Sequence, residues 1–177
     1  LFYTFLGLGL AGLLLAGFAA LVIYSNLPSL ETLTDYRPKI PLRIYSDEEL
    51  LIGEFGVERR NVVAISKVPT HLKQAILAAE DDRFYEHGGI DYIGVLRAAY
   101  SNFSAGSVQQ GASTITMQVA RNFFLTRDKT FTRKLNEMLL AFKIEQNLSK
   151  DKILELYINQ IYLGQRSYGF SAAAQTY

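Results

Sequence analysis

The sequence contains no cysteine, which excludes a disulfide framework, a cysteine-ligated zinc site and a thiol nucleophile. Only two histidines, His71 and His87, occur among 177 residues, so a histidine-based metal site is not indicated. The net charge is +1 and no dense basic run is present, which argues against nucleic acid as a partner. Any chemistry must therefore come from carboxylates, basic groups, hydroxyls and amides.

Charge is missing from the first 30 residues, since all 18 basic and 17 acidic residues lie at or after Glu31. Residues 1–25 are predicted to form a transmembrane helix, because about 24 helical residues exceed a ~30 Å hydrocarbon core. A signal peptide is the alternative, but its apolar region is only about 7–15 residues long. The absent charged flank suggests that the chain begins inside the span. The residues just after the span carry no excess of positive charge, which favours the non-cytoplasmic side of the membrane for the rest of the chain.

Proline is also scarce, and three of the four lie between residues 27 and 41. Residues 26–66 are predicted to form an extended stalk followed by a β-hairpin over residues 41–55, where apolar and polar residues alternate around a polar turn. Residues 67–177 are predicted to be almost wholly helical. The last residues enter a helix without a stop signal, so we expect the domain to be cut near its C-terminus.

The predicted helices begin near Thr70, Asp91, Ser113, Phe131 and Ser149. Apolar spacing predicts which side chains are buried on each helix. For the helix after Asp91 the predicted inward face consists of Ile93, Leu96, Tyr100 and Phe103. For the helix after Phe131 it consists of Phe131, Leu135, Met138, Leu139 and Phe142. Residues 104–113 are small or polar without periodicity, which predicts a flexible loop.

The stretch "EDDRFYEHGG", residues 80–89, puts three carboxylates at a helix end, where each opposes the helix dipole by roughly 0.3–1 kcal/mol. Glu80 follows Ile76 by four residues and so borders the predicted apolar face. A partly desolvated carboxylate has a raised pKa and can act as a general base or acid. The alternative is a set of surface charges paired with Arg83. His87 precedes two glycines, and a role in fixing the turn is favoured over catalysis.

A second cluster surrounds the stretch "RKLNE", residues 133–137. Its carboxylate, Glu137, has the spacing to pair with Arg133 and Lys134 on one helix face, which alone explains the pattern. The functional alternative is a diphosphate site, because basic residues recur within fourteen positions at Arg121, Lys129, Arg133 and Lys134.

A third cluster, "GASTITMQ", residues 111–118, places hydroxyl and amide groups at a predicted helix start. Helix N-termini bind anions, and ordinary capping explains much of the same pattern. No Walker pattern occurs, so nucleotide chemistry is not indicated.

Taken in order, these stretches resemble the peptidoglycan glycosyltransferase domain of class A penicillin-binding proteins, glycosyltransferase family 51. The first family motif, E-D-x-x-F-x-x-H-x-G, is matched by Glu80, Asp81, Phe84, His87 and Gly89. The second, G-x-S-T-x-T-Q-Q, is matched by Gly111, Ser113, Thr114, Thr116 and Gln118, with Met117 replacing the first glutamine. The third, R-K-x-x-E, is matched by Arg133, Lys134 and Glu137. The fourth, K-x-x-I-L-x-x-Y-x-N, is matched by Lys150, Ile153, Leu154, Tyr157 and Asn159.

The resemblance implies a mainly α fold, in which a lysozyme-like helical lobe and a small membrane-proximal jaw lobe enclose a cleft. It implies that lipid II is polymerised into β-1,4-linked glycan with inversion at the anomeric carbon and release of undecaprenyl diphosphate. Glu80 would be the general base, and Glu137 would lie near the leaving diphosphate. The implied substrate-site residues are Asp81, Phe84, His87, Ser113, Thr114, Gln118, Arg121, Asn122, Lys129, Arg133, Lys134, Tyr157 and Asn159. Among them Asp81, Phe84 and His87 would position Glu80.

The resemblance also implies a divalent cation, Mg or Mn, at the donor diphosphate near Glu137, or basic side chains in its place. The expected partners are lipid II, the lipid-linked glycan, the bilayer, and cell-elongation or outer-membrane activator proteins. The expected location is the inner membrane, single-pass, with the catalytic part in the periplasm. A transpeptidase domain would be absent here, because no part of the 177 residues outside the predicted segments is long enough to form one. The alternatives are a lysozyme-like hydrolase or lytic enzyme and a non-catalytic assembly platform.

Overall fold

The computed structural model describes residues 2–39, 41–107, 111–126 and 130–177. Its helices are α1 Phe2–Ser25, α2 Glu31–Thr34, α3 Thr70–Glu80, α4 Tyr92–Ala105, α5 Ile115–Phe124, α6 Phe131–Asn147, α7 Lys150–Gln160 and α8 Phe170–Thr176. Its strands are β1 Leu42–Tyr45, β2 Leu51–Phe55, β3 Arg59–Arg60 and β4 Ser167–Tyr168, and a 3₁₀ turn covers Ile65–Lys67. The prediction of a mainly α fold is confirmed. The division into a lysozyme-like lobe and a jaw remains a prediction.

The first 25 residues were expected to cross a membrane. They do form a helix, α1. Across the ranges that the structure describes, however, no helix combines the length and apolar character needed to span a bilayer. The prediction of a helix is therefore confirmed for Phe2–Ser25.

The β-hairpin is present as predicted. Strands β1 and β2 pair antiparallel, with Leu42 opposite Phe55 and Arg43 opposite Glu54. Arg43 also forms an ion pair with Glu54, at 3.0 Å between Nε and Oε1. A second, parallel pairing joins β3 to β4 near the end of the chain. This pairing attaches the linker, which is the stalk and hairpin region of residues 26–66, to the segment that follows α7.

Helix α5 is the centre of the core and packs against both α6 and α7. Its residues from Ile115 to Ala120 are all buried. Helix α7 contributes Ile153, Leu154 and Ile158 to the core and ends at Gln160. Ser149 caps α7 as predicted, because its hydroxyl oxygen accepts a hydrogen bond from the Lys152 backbone.

Two predicted apolar faces are not buried. On α4, Ile93, Leu96, Tyr100 and Phe103 are all exposed, with Phe103 89% exposed, and the helix buries only Ala98. On α6, Phe131 and Phe142 are exposed, whereas Leu135, Met138 and Leu139 are half-buried. The buried face of α6 consists instead of Glu137, Leu140, Ala141 and Ile144. Periodicity identifies an apolar stripe, but it does not identify which side of a helix meets the core, and on α6 the buried side contains a charged residue.

Asn159 joins the linker to the helical domain. Its side-chain oxygen accepts from the Val63 backbone N–H at 2.9 Å, and its nitrogen donates to the carbonyls of Val63 and Glu155, both at 2.9 Å. The residue is 4% exposed, so its amide makes these hydrogen bonds largely out of contact with bulk water. This side chain therefore stabilises the linker by pairing with partly buried backbone groups.

We predict that Asn159→Ala lowers the free energy of unfolding by about 2–3 kcal/mol, because buried backbone groups would lose their partners. Asn147→Ala is the matched control, since Asn147 is exposed and donates only to a carbonyl of its own helix. Urea unfolding measures both changes. Equal destabilisation by the two substitutions would contradict this role for Asn159.

Candidate active site

Glu80 is the last residue of α3 and lines a cleft of about 380 Å³. The opposite wall is the segment from Gly111 to Thr114, just before α5. Glu80 itself is exposed, as are Ala75 and Ala79 on the same helix. The expectation that Glu80 is shielded beside a buried stripe is therefore wrong, because this face of α3 forms a wall of the cleft.

Two side chains hold the Glu80 carboxylate. The Gln118 amide donates to Oε2 at 2.8 Å, and the Tyr157 hydroxyl is hydrogen bonded to the same carboxylate. Burial raises the pKa of Tyr157, and the negative charge and hydrogen bond of Glu80 raise it further, whereas Arg121 acts in the opposite direction. Tyr157 therefore remains a neutral donor to Glu80 at physiological pH. One face of the carboxylate is fixed while the residue stays open to the cleft.

Asp81, which follows the last residue of α3, is stabilised by contacts outside that helix. Its carboxylate turns away from α3 and accepts from the backbone N–H of Ile115, the first residue of α5, at 3.0 Å. There it meets the positive end of the α5 dipole. The His87 ring also hydrogen bonds to Asp81, at 2.9 Å between Nε2 and Oδ1. The loop after α3 is thus attached to α5 directly beside Glu80.

The start of α5 is fixed by Thr114, one residue later than the predicted cap. The Thr114 hydroxyl accepts from the Met117 backbone N–H and donates to the carbonyl of Gly89 at 2.6 Å. Gly89 has φ +94° and lies against the Ala141 backbone, where a Cβ would come within 3.0 Å. A glycine is therefore required where this loop meets α6.

The second cluster surrounds Glu137, which is 1% exposed. Arg133 forms a close ion pair with it, Lys134 Nζ lies 3.1 Å from Oε2, and Arg121 Nη1 lies 4.0 Å from Oε1. Lys134 also donates to the Ser113 hydroxyl, which lines the cleft, at 2.7 Å. Three cations around one carboxylate leave a net positive site connected to the Glu80 cleft.

The surroundings of Glu137 do not fit a divalent cation. Its carboxylate oxygens face three positively charged side chains, which would repel a metal ion. Within residues 2–39, 41–107, 111–126 and 130–177, no three acidic or histidine side chains are grouped to bind a metal. The basic groups are the better match for an anionic ligand.

A second cavity, of about 390 Å³, lies beside the same cations. It is lined by Arg121, Asn122 and Arg133, by Leu125 and Thr126 just after α5, and by three residues at or after the end of α7, namely Gln160, Tyr162 and Tyr168. The tyrosine rings are 5.0 Å apart between centroids. Sequence reasoning missed all three residues. In the sequence, the one feature that could have indicated them is a pair of tyrosines on either side of a glycine-containing turn shortly after the fourth motif.

Several predicted site residues have other positions. Phe84 is fully buried, with the Lys150 ammonium 4.4 Å from its ring centroid, so it supports the loop. Asn159 is engaged with the linker backbone, as described above. Neither residue lines the Glu80 cleft or the second cavity, and a substrate contact for them stays a prediction. Met117 is buried, as expected for its place in the second motif. Lys129 lies outside the described residues.

With this geometry in place, comparison with known proteins identifies the class. A family model described as "Transglycosylase" matches residues 48–177, so the chain belongs to that family. The assignment to the glycosyltransferase domain of class A penicillin-binding proteins is confirmed.

Three similar curated proteins share one name. The chain is 60% identical to "Penicillin-binding protein 1A" of Neisseria flavescens over 171 residues, 97% of this chain and 21% of the relative. It is 58% identical to the Neisseria gonorrhoeae protein of that name, over 99% of this chain and 22% of the relative. For the Pseudomonas aeruginosa protein the identity is 50%, over 90% and 19%. The chain thus spans about a fifth of the length of these relatives.

We predict a pH dependence for the contribution of Tyr157. A raised folded-state pKa stabilises the protein below the unfolded pKa of about 10, and this contribution is lost as pH rises toward the folded-state value. The difference in unfolding free energy between wild type and Tyr157→Phe should therefore shrink by several tenths of a kcal/mol from pH 8 to pH 10.5. Urea unfolding at both pH values measures it, with exposed Tyr100→Phe as control. A difference independent of pH would contradict the burial and the Glu80 contact.

Proposed function

We propose that the chain polymerises lipid II into β-1,4-linked glycan strands and releases undecaprenyl diphosphate. The observation that supports it is the connection between two sites of opposite character. An exposed carboxylate, Glu80, lies in one cleft, and a cationic cluster lies behind it. Tyr157 links them, since its hydroxyl interacts with both Glu80 and Arg121. A base close to an anion-binding site is what displacement of a diphosphate by a hydroxyl group requires.

In the proposed reaction Glu80 accepts the proton of the 4-hydroxyl of the acceptor sugar. The resulting oxygen nucleophile attacks the anomeric carbon of the lipid-linked donor from the face opposite the diphosphate. The bond from that carbon to the diphosphate oxygen breaks, and the configuration inverts. Arg121, Arg133 and Lys134 stabilise the charge on the leaving diphosphate, which therefore needs no proton. Gln118 and Tyr157 hold the Glu80 carboxylate in position during the transfer.

The cationic cluster distinguishes this proposal from the two alternatives. A lysozyme-like hydrolase would need an acid and a second carboxylate near the glycosidic bond, but no diphosphate site. In this protein Glu137 is buried among cations, and that cationic cluster is a feature a hydrolase does not require. A non-catalytic platform would need neither the base nor the cluster. Transfer from a lipid diphosphate uses both.

The proposed place of action is the periplasmic face of the inner membrane, where lipid II tails are embedded. The exposed apolar side chains of α4, Ile93, Leu96, Tyr100 and Phe103, offer a surface for the bilayer or the polyprenyl tails. We further propose that elongation or outer-membrane activator proteins act on the full-length protein, which would also contain a transpeptidase domain. The penicillin binding in the relatives' name is a property of those proteins.

We predict that Glu80→Gln lowers glycan synthesis by at least about 100-fold, because the amide cannot accept the proton. The control is Glu86→Gln on the same loop, whose exposed carboxylate pairs only with Arg83. Labelled lipid II in detergent and separation of glycan by length measure both. Undiminished polymerisation by Glu80→Gln would refute the assignment of the base, and cleavage of preformed glycan without synthesis would favour the hydrolase.

We predict that Arg133→Ala combined with Lys134→Ala weakens binding of undecaprenyl diphosphate more than tenfold and reduces turnover in proportion, because two cations around Glu137 are lost. Lys152→Ala is the control, since Lys152 pairs with Glu155 on α7. Binding is measured on protein whose circular dichroism matches wild type. Retained diphosphate affinity in a folded double variant would rule out the cluster as the phosphate site.

A further inference from the structure

Arg60, in strand β3, lies outside all four motifs and is only 6% exposed. A buried guanidinium needs partners for its donors, and Arg60 has them on three segments of the chain. Its Nε donates to Glu58 at 2.6 Å. Its Nη1 lies within hydrogen-bond distance of three acceptors, the Gln160 side chain at 2.7 Å, the Tyr36 hydroxyl at 3.0 Å and the Asn159 carbonyl at 3.3 Å. Its guanidinium also stacks over the Tyr168 ring, 4.3 Å from the centroid.

Two of these contacts are with walls of the second cavity. Gln160 and Tyr168 both line it, whereas Arg60 lies behind them and is not part of the lining. Arg60 therefore acts on the cavity through other side chains.

The contact with Arg60 determines which end of the Gln160 amide faces the cavity. A guanidinium has no acceptor, so the amide atom next to Nη1 must be the oxygen. The Tyr36 hydroxyl, at 2.7 Å, donates to the same oxygen. With the oxygen occupied twice, the NH₂ group is the end left for a ligand. Both hydrogen bonds of the Gln160 side chain within the described ranges are made by its oxygen.

The polar lining of the cavity is then rich in donors. It includes the guanidinium groups of Arg121 and Arg133, the amide of Asn122, the Thr126 hydroxyl and the NH₂ group of Gln160. Tyr162 and Tyr168 add two aromatic rings. Such a lining matches a ligand with many acceptor oxygens and an apolar ring face, as in a sugar bonded to a diphosphate.

We propose that Arg60 is a positioning residue for this second cavity. It orients the Gln160 amide and the Tyr168 ring so that the cavity binds the sugar diphosphate part of the lipid-linked donor. This proposal rests on the proposed function and adds a residue of the linker to the donor site. Tyr36 takes part because its hydroxyl accepts from Arg60 and donates to Gln160.

The geometry requires arginine and not simply positive charge. A lysine ammonium cannot present a planar group to the Tyr168 ring while donating to Glu58 and Gln160 in fixed directions. Arg60→Lys therefore keeps the charge and loses the orientation. Tyr36→Phe is a smaller change, since it removes one hydroxyl and leaves the ring packed against Phe123.

The test measures binding of a fluorescent lipid-linked disaccharide diphosphate in detergent, in the Glu80→Gln background so that the probe stays intact. We expect Arg60→Lys to raise the Kd about tenfold and Tyr36→Phe about threefold. Arg59→Lys is the matched control, because the neighbouring Arg59 pairs with Glu54 of the hairpin. Its Kd should equal that of the parent protein.

The thermal midpoint is measured on each variant. A merely structural role would lower the midpoint and leave the Kd of the folded protein unchanged, and that outcome would overturn the proposal. If Arg60→Lys does not fold, the test rests on Tyr36→Phe. A Tyr36→Phe variant that binds the probe with the same Kd as the parent protein would also overturn the proposal. Failure of the parent protein to bind the probe would instead refute the proposed function, and this inference with it. A raised Kd in folded Tyr36→Phe with unchanged Arg59→Lys would establish it.

Discussion

The burial of Glu137 is the constraint on which the rest of the site depends. A buried carboxylate without partners costs several kcal/mol, so the fold must bring cations to it. Arg133 and Lys134 come from the same helix, and Arg121 comes from α5. Meeting this requirement sets the rotation of α6 and leaves the apolar Phe131 exposed. It also produces a cluster with more positive than negative charge, which is suited to an anionic leaving group.

The acidic end of α3 serves two purposes that its own helix does not reveal. Asp81 is unfavourable for α3 but favourable for α5, because its carboxylate accepts from the first N–H of that helix. This contact brings the end of one helix to the start of the other and forms the cleft between them. Glu80, one residue earlier, is then left facing the cleft, with Gln118 on one side. Asp81 and Glu80 are thus adjacent in sequence, but Asp81 has a structural role and Glu80 is the proposed base.

The linker and the site form one unit through buried polar contacts. Asn159 holds the linker backbone, and Arg60 reaches from the linker to Gln160 and Tyr168. These contacts between distant segments could not be predicted from the sequence. The longer helices, the hairpin and the helix start at Ser149 were predicted, because they depend on neighbouring residues, whereas the short helix α2 lies in the predicted stalk. The buried faces of α4 and α6 were not, because an apolar stripe does not state what it packs against.

The sequence by itself determined the longer helical segments, the absence of cysteine chemistry and the family. It also determined the pairing of Arg133 with Glu137, because side chains four positions apart on a helix lie on the same face. Only the tertiary structure decided that Glu80 is exposed, that Phe84 is buried, and that Arg60 contacts Gln160 one hundred residues away. The physical reason is distance along the chain. Local spacing fixes contacts within one helix, whereas contacts between distant segments depend on which faces the folded chain brings together.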